Sequence, residues 1–160
     1  MNDSEPRSYQ LSVTTMTEHV LPSHANALGT VFGGTIMSWI DVCGAICAQR
    51  HARRLVVTAF VDDLVFHGPV RVGEVVKLTA RVNATFRTSL ELEVVVEGEN
   101  PLEGRTWPCV HAMLTFVAVD DVTRKPVVVP PLLIETEDDR RRQGAAEERR
   151  AHRLARAQKA

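Results

Sequence analysis

One stretch of this sequence, from His24 to Gln49, constrains the fold more than any other. It begins with a short polar segment, passes through Gly33-Gly34, and continues as a long run of apolar and small residues. A helix that is apolar on nearly every face has to be surrounded by protein. The sequence therefore predicts a central helix from about Gly34 to about Arg53, with Asp41 as the one formally charged residue in its apolar body.

Length and composition limit the class of protein. The chain has 160 residues, 44% of them hydrophobic, which is enough for one domain with a real core. The formal net charge of -1 gives no overall attraction to nucleic acid or to a membrane surface. The polar N-terminus lacks the apolar segment of a signal peptide, and no apolar run is long enough to span a membrane. Three cysteines, an odd number, favour a reducing compartment. We therefore expect a cytoplasmic protein with no nucleic-acid partner and no membrane span.

Strand-like segments precede and follow the helix. They cover Arg7–Glu18, Leu55–Phe66, Glu74–Ala84, Thr88–Glu97 and Trp107–Val119. Short connections favour antiparallel neighbours, and the last segment is apolar on both faces, which favours a central position in the sheet. Polar alternation in the third and fourth segments leaves an outer face for solvent or for a partner subunit. The predicted fold class is α+β, with a five-stranded antiparallel sheet wrapped around one long helix, in a domain of residues 1–134.

Residues 135–160 form a charged tail that is predicted to be helical. Acidic residues come early and basic residues late, which suits the helix dipole. The tail lacks an apolar stripe, with Leu154 nearly alone, so a solvated or frayed helix is the favoured interpretation. Two alternatives stay open. The arginine clusters could bind nucleic acid, although acidic residues are interleaved with them, or the helix could lie across a neighbouring subunit.

Asp41 is the strongest candidate for chemistry. A carboxylate in an apolar helix is costly unless it is paired or used. The structural interpretation is a carboxylate that is hydrogen-bonded to backbone or to Ser38 one turn earlier. The functional interpretation is a general base or a nucleophile, since apolar surroundings would strip its hydration and raise its basicity.

The segment before Asp41 offers two further candidates. Free N–H groups of Gly33 and Gly34 at a helix N-terminus can stabilise a developing oxyanion, although a plain tight turn explains the glycines as well. Asn26, in the loop that leads into this helix end, could orient a water or a carbonyl, or be an ordinary turn residue. His24 has no partner at a recognisable spacing for a metal.

Other motifs are less specific. Cys43 and Cys47 are interpreted as small core residues, since nothing basic nearby would lower a thiol pKa. Residues 29–35 have the glycine spacing of a phosphate-binding loop but no lysine, and the chain contains no G-x-S-x-G motif. Two clusters in loops or at strand ends could hold phosphates or be ordinary turn polarity. They are Arg87-Thr88-Ser89 and Arg124-Lys125-Pro126.

Several motifs, spaced in order between about Ser12 and Leu133, resemble the acyl-CoA thioester hydrolases of the hotdog fold, in the branch of YciA and brain acyl-CoA hydrolase. They are HANALGTVFGGTIMSWIDVCGAICAQRH, VVTAFVDDLVFHGPVRVGE, RTSLELEV, NPLEG, LTFVAVD and KPVVVPPL. The fold of that family, a long helix wrapped by a five-stranded antiparallel sheet, agrees with the fold predicted above. Arg124 stands where many relatives have the glycine of a GKP turn.

The resemblance implies hydrolysis of acyl-CoA to a free acid and CoA, with no cofactor beyond the substrate and no metal. It implies that Asp41 acts as base or nucleophile, that the Gly33 and Gly34 amides polarise the thioester carbonyl, and that Asn26 of one protomer faces Asp41 of the other. A homodimer would then be the minimal active unit, and family members often assemble into hexamers as trimers of dimers. The positions that match contacts to CoA are Arg87, Thr88, Ser89 and Lys125.

Two alternatives remain. A hotdog protein could bind acyl-CoA as a sensor without cleaving it, but such regulators usually carry an added DNA-binding segment that this chain does not show. Hotdog dehydratases use a catalytic histidine, and no histidine lies inside the predicted helix before His51.

Overall fold

The computed structural model describes residues 5–157, which fold into one antiparallel sheet with a long helix on its inner face and a second helix on its outer face. The strands and helices, in chain order, are β1 Thr14–His19, α1 Gly33–Ala52, β2 Leu55–Phe66, β3 Val75–Thr85, β4 Ser89–Asn100, β5 Arg105–Val119 and α2 Glu137–Ala157. The predicted fold class is therefore confirmed. The outermost parts of the predicted domain and tail, residues 1–4 and 158–160, lie outside the described residues. Within residues 5–157, no helix is long and apolar enough to cross a membrane.

The first strand is shorter than its sequence pattern predicts. Alternating apolar residues suggest a strand from Arg7, but Tyr9–Leu11 is a single turn of 3-10 helix and β1 begins at Thr14. The Ser8 hydroxyl caps this turn, and the Ser12 N–H donates to the Tyr9 carbonyl over 2.9 Å. Serine side chains and local backbone bonds therefore compete with the sheet before Thr14.

The strand order is β1-β3-β4-β5-β2, with every pair antiparallel. The expectation that short connections join neighbouring strands is wrong for β2 and β3, which are consecutive in sequence but do not pair. β2 instead pairs with β5 from Leu55 opposite Val119 to Phe66 opposite Val110. β5 lies inside the sheet as predicted, and β4 is the middle strand. β2 is consequently an edge strand beside α1.

The hydrophobic core lies between one face of α1 and the inner face of the sheet. Buried residues recur along α1 at helical spacing and contact buried residues of β3, β4 and β5. Gly44 lies where the helix comes closest to the sheet, because a Cβ built there would meet Leu92 and Phe116 at 3.1 Å. A side chain at this position would push α1 away from the strands.

The opposite face of α1 is open, so the prediction that the chain surrounds this helix on all sides is wrong. Gly34, Met37, Ser38 and Val42 are exposed, and Asp41 is half-buried among them. The open face continues onto the adjacent edge strand, where exposed apolar side chains project from Val61 and Phe66 on the side of the sheet that faces α1. A helix that is apolar all round but covered on only one side indicates a surface for a partner.

The tail helix α2 packs on the outer face of its own sheet, which differs from the solvated helix expected from the sequence. It is held by ion pairs rather than by an apolar stripe. These pairs are Arg81 with Asp138 and Asp139, Arg142 with Glu93, Arg149 with Glu91, and Arg153 with Glu91 and Asp62. The Glu91 side chain is completely buried and the Arg153 side chain is 6% exposed. α2 therefore covers charged side chains of β4 that the alternating sequence pattern predicts on the outer face of the sheet.

A buried histidine ties the end of α1 to the segment after β5. His51 is 1% exposed, its Nε2 lies 3.2 Å from the Pro130 carbonyl oxygen, and its Nδ1 has no partner among the described residues. Burial lowers the pKa of His51 below its ordinary value, and the positive charge of Arg7 acts in the same direction. The folded protein therefore keeps this imidazole neutral at pH values where the unfolded chain binds a proton.

We expect the free energy of unfolding to decrease as the pH falls below the ordinary histidine value of about 6.5, by at most about 1.4 kcal/mol per pH unit from this group. Above that pH both states are neutral and the group contributes no pH dependence. Urea unfolding of His51→Gln at pH 7 and pH 5 should give a smaller decrease than the unchanged protein gives. The matched control is His152→Gln, an exposed position on α2. An unchanged decrease in His51→Gln would contradict the assignment.

Candidate functional site

The loop before α1 is organised by Asn26. Its Oδ1 accepts hydrogen bonds from the Leu28 N–H at 2.9 Å, and from the N–H and hydroxyl of Thr30 at 3.3 and 3.2 Å. Gly29, at φ +73°, donates its N–H to the Asn26 carbonyl and has the left-handed conformation that glycine adopts without strain. The Asn26 side-chain oxygen is therefore used by the loop, and its NH₂ group is left to donate elsewhere.

His24 holds the other end of the same loop. Its Nδ1 accepts from the Leu21 N–H at 3.2 Å, its carbonyl accepts from the Phe32 N–H, and its ring lies edge-on to Trp39 at 5.1 Å. His24 thus orders the approach to α1. Among residues 5–157, no cluster of three or more His, Cys, Asp or Glu side chains is placed to hold a metal ion.

The N-terminus of α1 offers two unused amides. The N–H groups of Thr35 and Ile36 donate to the Phe32 carbonyl, whereas those of Gly33 and Gly34 have no acceptor within the described residues. A Cβ built at Gly34 would lie 2.5 Å from the Phe32 ring, so glycine lets that ring lie against the backbone. Two free N–H groups at the positive end of a helix dipole form a site for an oxygen that carries negative charge.

A cavity of about 340 Å³ brings these elements together. Asn26 and Gly33 line it, and its opposite wall is formed by Phe66, His67 and Pro69 at the end of β2. Asp41 does not line this cavity. At 1.5 Å of rise per residue, Asp41 lies about 12 Å along the helix from Gly33. Within one chain, the free amides and the carboxylate are too far apart to act on the same carbonyl group.

Asp41 is held by a residue that the sequence analysis did not select. The Thr58 hydroxyl of β2 donates to Asp41 Oδ1 at 2.6 Å, which fixes one carboxylate oxygen and leaves the other without a partner among the described residues. Ser38, the partner considered from the sequence, makes no hydrogen bond with Asp41 in the described part of the chain. Threonine is common in β-strands whether or not it has a function, so the sequence gives no reason to select Thr58. Only the contact between α1 and β2 identifies it as the partner of Asp41.

The four residues selected for CoA are only partly brought together. Arg87-Thr88 forms the turn between β3 and β4, and Lys125 lies in the turn after β5, which returns to the sheet through a bridge between Val119 and Pro126. Arg87 and Lys125 are exposed, and neither forms an ion pair within residues 5–157. Ser89, by contrast, faces a cavity beneath α2. Arg124 has φ 58°, the conformation that a glycine takes up freely.

The cysteines take no part in the site. All three are buried and unpaired, and burial raises the pKa of Cys43 to about 11, of Cys47 to about 12 and of Cys109 to about 11. Such thiols stay protonated at neutral pH and are poor nucleophiles. The interpretation of Cys43 and Cys47 as core residues agrees with this.

Comparison with known sequences gives a consistent group of relatives. A family model described as Thioesterase superfamily matches residues 28–104. The chain is 38% identical over 104 residues to an uncharacterized acyl-CoA thioester hydrolase of Zymomonas mobilis, covering 65% of this chain and 70% of that protein. It is 36% identical over 109 residues, 68% of the chain, to mouse acyl-coenzyme A thioesterase 11, and 31% over 122 residues, 75% of the chain, to human cytosolic acyl coenzyme A thioester hydrolase. It spans only 18% and 32% of the lengths of these two longer proteins.

Comparison with solved structures points the same way. The crystal structure of an apo-hexameric acyl-CoA thioesterase is 37% identical and superposes with a TM-score of 0.90, covering 96% of this chain and 97% of that one. The acyl-CoA hydrolase of Staphylococcus aureus, 31% identical with a TM-score of 0.86, has been solved with butyryl coenzyme A, coenzyme A and coenzyme A disulfide, covering 96% of this chain and 93% of that one.

Alanine variants of the S. aureus protein have also been solved, at an asparagine, an aspartate and a threonine. The asparagine precedes the aspartate by 15 positions and the threonine follows it by 17. Asn26, Asp41 and Thr58 have the same separations in this chain.

Proposed function

This chain belongs to the acyl-CoA thioester hydrolases of the thioesterase superfamily, and we propose that it cleaves acyl-CoA to a carboxylic acid and CoA with Asp41 as the catalytic carboxylate. The resemblance noted in the sequence and the hotdog fold that it implied are both confirmed. The hydrogen bond between Asp41 and Thr58, together with the matching separations in the S. aureus hydrolase, is the observation that most supports the proposal.

The carboxylate can drive hydrolysis in either of two ways. As a general base it takes a proton from a water whose oxygen attacks the thioester carbon; the C–S bond then breaks and the CoA sulfur leaves with a proton. As a nucleophile it attacks the carbon itself; the C–S bond breaks and the CoA thiolate leaves, and water then cleaves the resulting anhydride to release the acid and restore the Asp41 carboxylate. In both cases Thr58 holds one oxygen of Asp41, so that the other faces the substrate. No cofactor is required, since carboxylate, amides and water supply every group.

The electrophilic half of the site comes, in this proposal, from a second protomer. The free amides of Gly33 and Gly34 would bind the thioester oxygen as negative charge develops on it, with the Asn26 NH₂ group beside them. Because Gly33 lies about 12 Å from Asp41 along one helix, the two halves meet only if a neighbouring chain supplies one of them. A homodimer with two shared sites satisfies that requirement.

The open face of α1 and the β2 edge form the proposed dimer surface. Exposed apolar side chains from both elements surround Asp41, and an edge strand presents unpaired backbone groups to a second copy. Burial in the dimer would also remove water from around the carboxylate. Assembly of three dimers into a hexamer is supported by the hexameric relative.

We assign binding of the CoA portion to exposed cations in two turns, the β3–β4 turn and the turn after β5. Arg87, Thr88 and Lys125 lie in turns where their polar groups are free to meet phosphate oxygens. Ser89 follows this turn in the chain, but its side chain faces the cavity beneath α2, so we leave it out of the proposed set. A cytoplasmic location is supported by the cytosolic human relative and by three unpaired thiols.

The shared site predicts rescue in mixed oligomers. Asn26→Ala and Asp41→Ala should each be inactive as homodimers, because each lacks one half of both sites. A mixed dimer keeps one site with both halves intact. After equal mixing and subunit exchange, thiol release from acyl-CoA should recover to roughly a quarter of the unmodified rate, as half of the dimers then carry one of two sites.

Subunit exchange has to be shown directly, for example by mass spectrometry of differently tagged chains. Exchange without recovery would place the whole site in one protomer. A panel from acetyl-CoA to palmitoyl-CoA tests the function itself. If the unmodified chain binds these thioesters and releases no thiol from any of them, the chain is an acyl-CoA sensor and the hydrolase proposal is wrong.

A further inference from the structure

A second cavity lies on the other side of the sheet, beneath the C-terminal half of α2, and has a volume of about 170 Å³. Its wall is mostly apolar and is contributed by Ala59 and Phe60 of β2, Val117 of β5, and Leu154 and Ala157 of α2. A water occupies about 30 Å³ in the liquid, so the cavity has room for about six groups of that size. It is far too small for CoA.

A buried polar group in the wall of this cavity lacks a partner. Thr115 of β5 lines the cavity and is 5% exposed, and its hydroxyl makes no hydrogen bond among the described residues. A buried hydroxyl without a partner costs about 1–3 kcal/mol, so native proteins rarely leave one empty. Ser89 supplies a second hydroxyl to the same wall. The cavity thus combines a mostly apolar wall with two hydroxyl groups that can form hydrogen bonds.

The charge around the cavity is positive. Arg149 and Arg153 pair with Glu91 and Asp62, so these two cations and two carboxylates balance. Arg150 also lines the cavity, stacks over the Phe86 ring at 4.6 Å, and forms no ion pair within residues 5–157. Stacking against a ring leaves guanidinium N–H groups free to donate. The wall of the cavity therefore contains one arginine without a counter-charge among the described residues.

From this combination we propose that the cavity beneath α2 binds a small aliphatic carboxylate. The carboxylate pairs with Arg150 and accepts from the Thr115 hydroxyl, and a chain of three or four carbons lies against Phe60, Val117 and Leu154. A neutral ligand leaves Arg150 unpaired, and a larger one does not fit. Because free acids are the product of the proposed reaction, the site would respond to product; that connection alone rests on the proposed function.

The test is titration of the full chain with pentanoate, followed by the methyl NMR signals of Val117 and Leu154. We expect saturable shifts with a dissociation constant on the order of 1 mM, since a ligand of seven heavy atoms has little surface to bury. Pentanamide, which has the same shape without the charge, should bind at least about fivefold more weakly. Arg150→Gln and Thr115→Val should each weaken pentanoate binding by a similar factor.

Arg140→Gln is the matched control, because Arg140 is an exposed arginine near the other end of α2. It should bind pentanoate as the unchanged chain does. Equal binding of pentanamide and pentanoate would overturn the proposal in favour of an apolar cavity only. Shifts that persist in Arg150→Gln, or no shifts at all, would also overturn it. No acyl-CoA is present, so failure here is separate from failure of hydrolysis.

Discussion

Replacing Asp41 with asparagine should reduce kcat for thiol release from acyl-CoA by roughly 100- to 10,000-fold, the range that a lost general base produces. Asparagine keeps the size of the side chain and can still accept from the Thr58 hydroxyl, but it neither takes a proton from water nor forms an anhydride. KM should change little, because the amides at Gly33 and Gly34 and the proposed CoA contacts are untouched. The measurement is steady-state thiol release with the best substrate of the acyl-CoA panel.

Two comparisons separate a chemical role from a structural one. Glu137→Gln changes an exposed carboxylate at the start of α2 and should leave the rate unchanged. Thr58→Val keeps the shape of the strand but removes the hydrogen bond to Asp41, and should lower kcat less than Asp41→Asn does. Both site variants should keep the oligomer and its thermal midpoint. Full activity in Asp41→Asn would show that Asp41 is not the catalytic carboxylate.

Replacing Glu91 with glutamine should destabilise the fold by up to about 3–5 kcal/mol, because half-buried Arg149 loses its counter-charge and buried Arg153 keeps only Asp62. The Glu91 side chain is completely buried, receives two hydrogen bonds from Arg149 at 3.0 and 2.6 Å, and lies 3.4 Å from Arg153. α2 has no apolar stripe, so little else holds its C-terminal half to the sheet. Urea unfolding should show the loss, and backbone amides of α2 should exchange faster with solvent.

The same strand supplies the control. Glu97 lies on β4 like Glu91 but is exposed, and Glu97→Gln should change stability by less than about 0.5 kcal/mol. If the two variants are equally stable, the ion pairs are not what keeps α2 on the sheet. Rapid exchange confined to α2, with the sheet still protected, would show that the helix detaches as a unit.

Several elements could be predicted from the sequence because their signals are local. β2 was predicted with its observed bounds, since Arg53-Arg54 ends the helix before it and His67-Gly68-Pro69 ends the strand. α1 was predicted within one residue at each end from its apolar run and its glycines. The first strand was overestimated because a 3-10 turn can carry the same apolar alternation as a strand over a few residues.

Some residues of the candidate site could also be predicted from local sequence, and others could not. Asp41, Gly33 and Gly34 stand out in one continuous stretch, and the structure leaves them where the sequence placed them, on α1. Thr58 was missed because a threonine in a strand needs no special explanation. The packing of α2 on the sheet was also not predicted. Hydrophobic patterning detects helices that pack through apolar faces, whereas α2 packs through buried ion pairs.

Composition and spacing along a single helix are local properties, so the amino-acid sequence alone predicts a long apolar helix that carries one carboxylate and begins at two glycines. The packing of distant segments sets the rest: one face of that helix stays open, β2 rather than β3 lies beside β5, and Thr58 holds Asp41. Packing also buries Glu91 and Arg153 together, although they are 62 positions apart in the chain. Such contacts depend on which helices and strands pack together. The sequence does not show which distant residues will pair, because the pairing depends on packing and on the loss of water around both side chains.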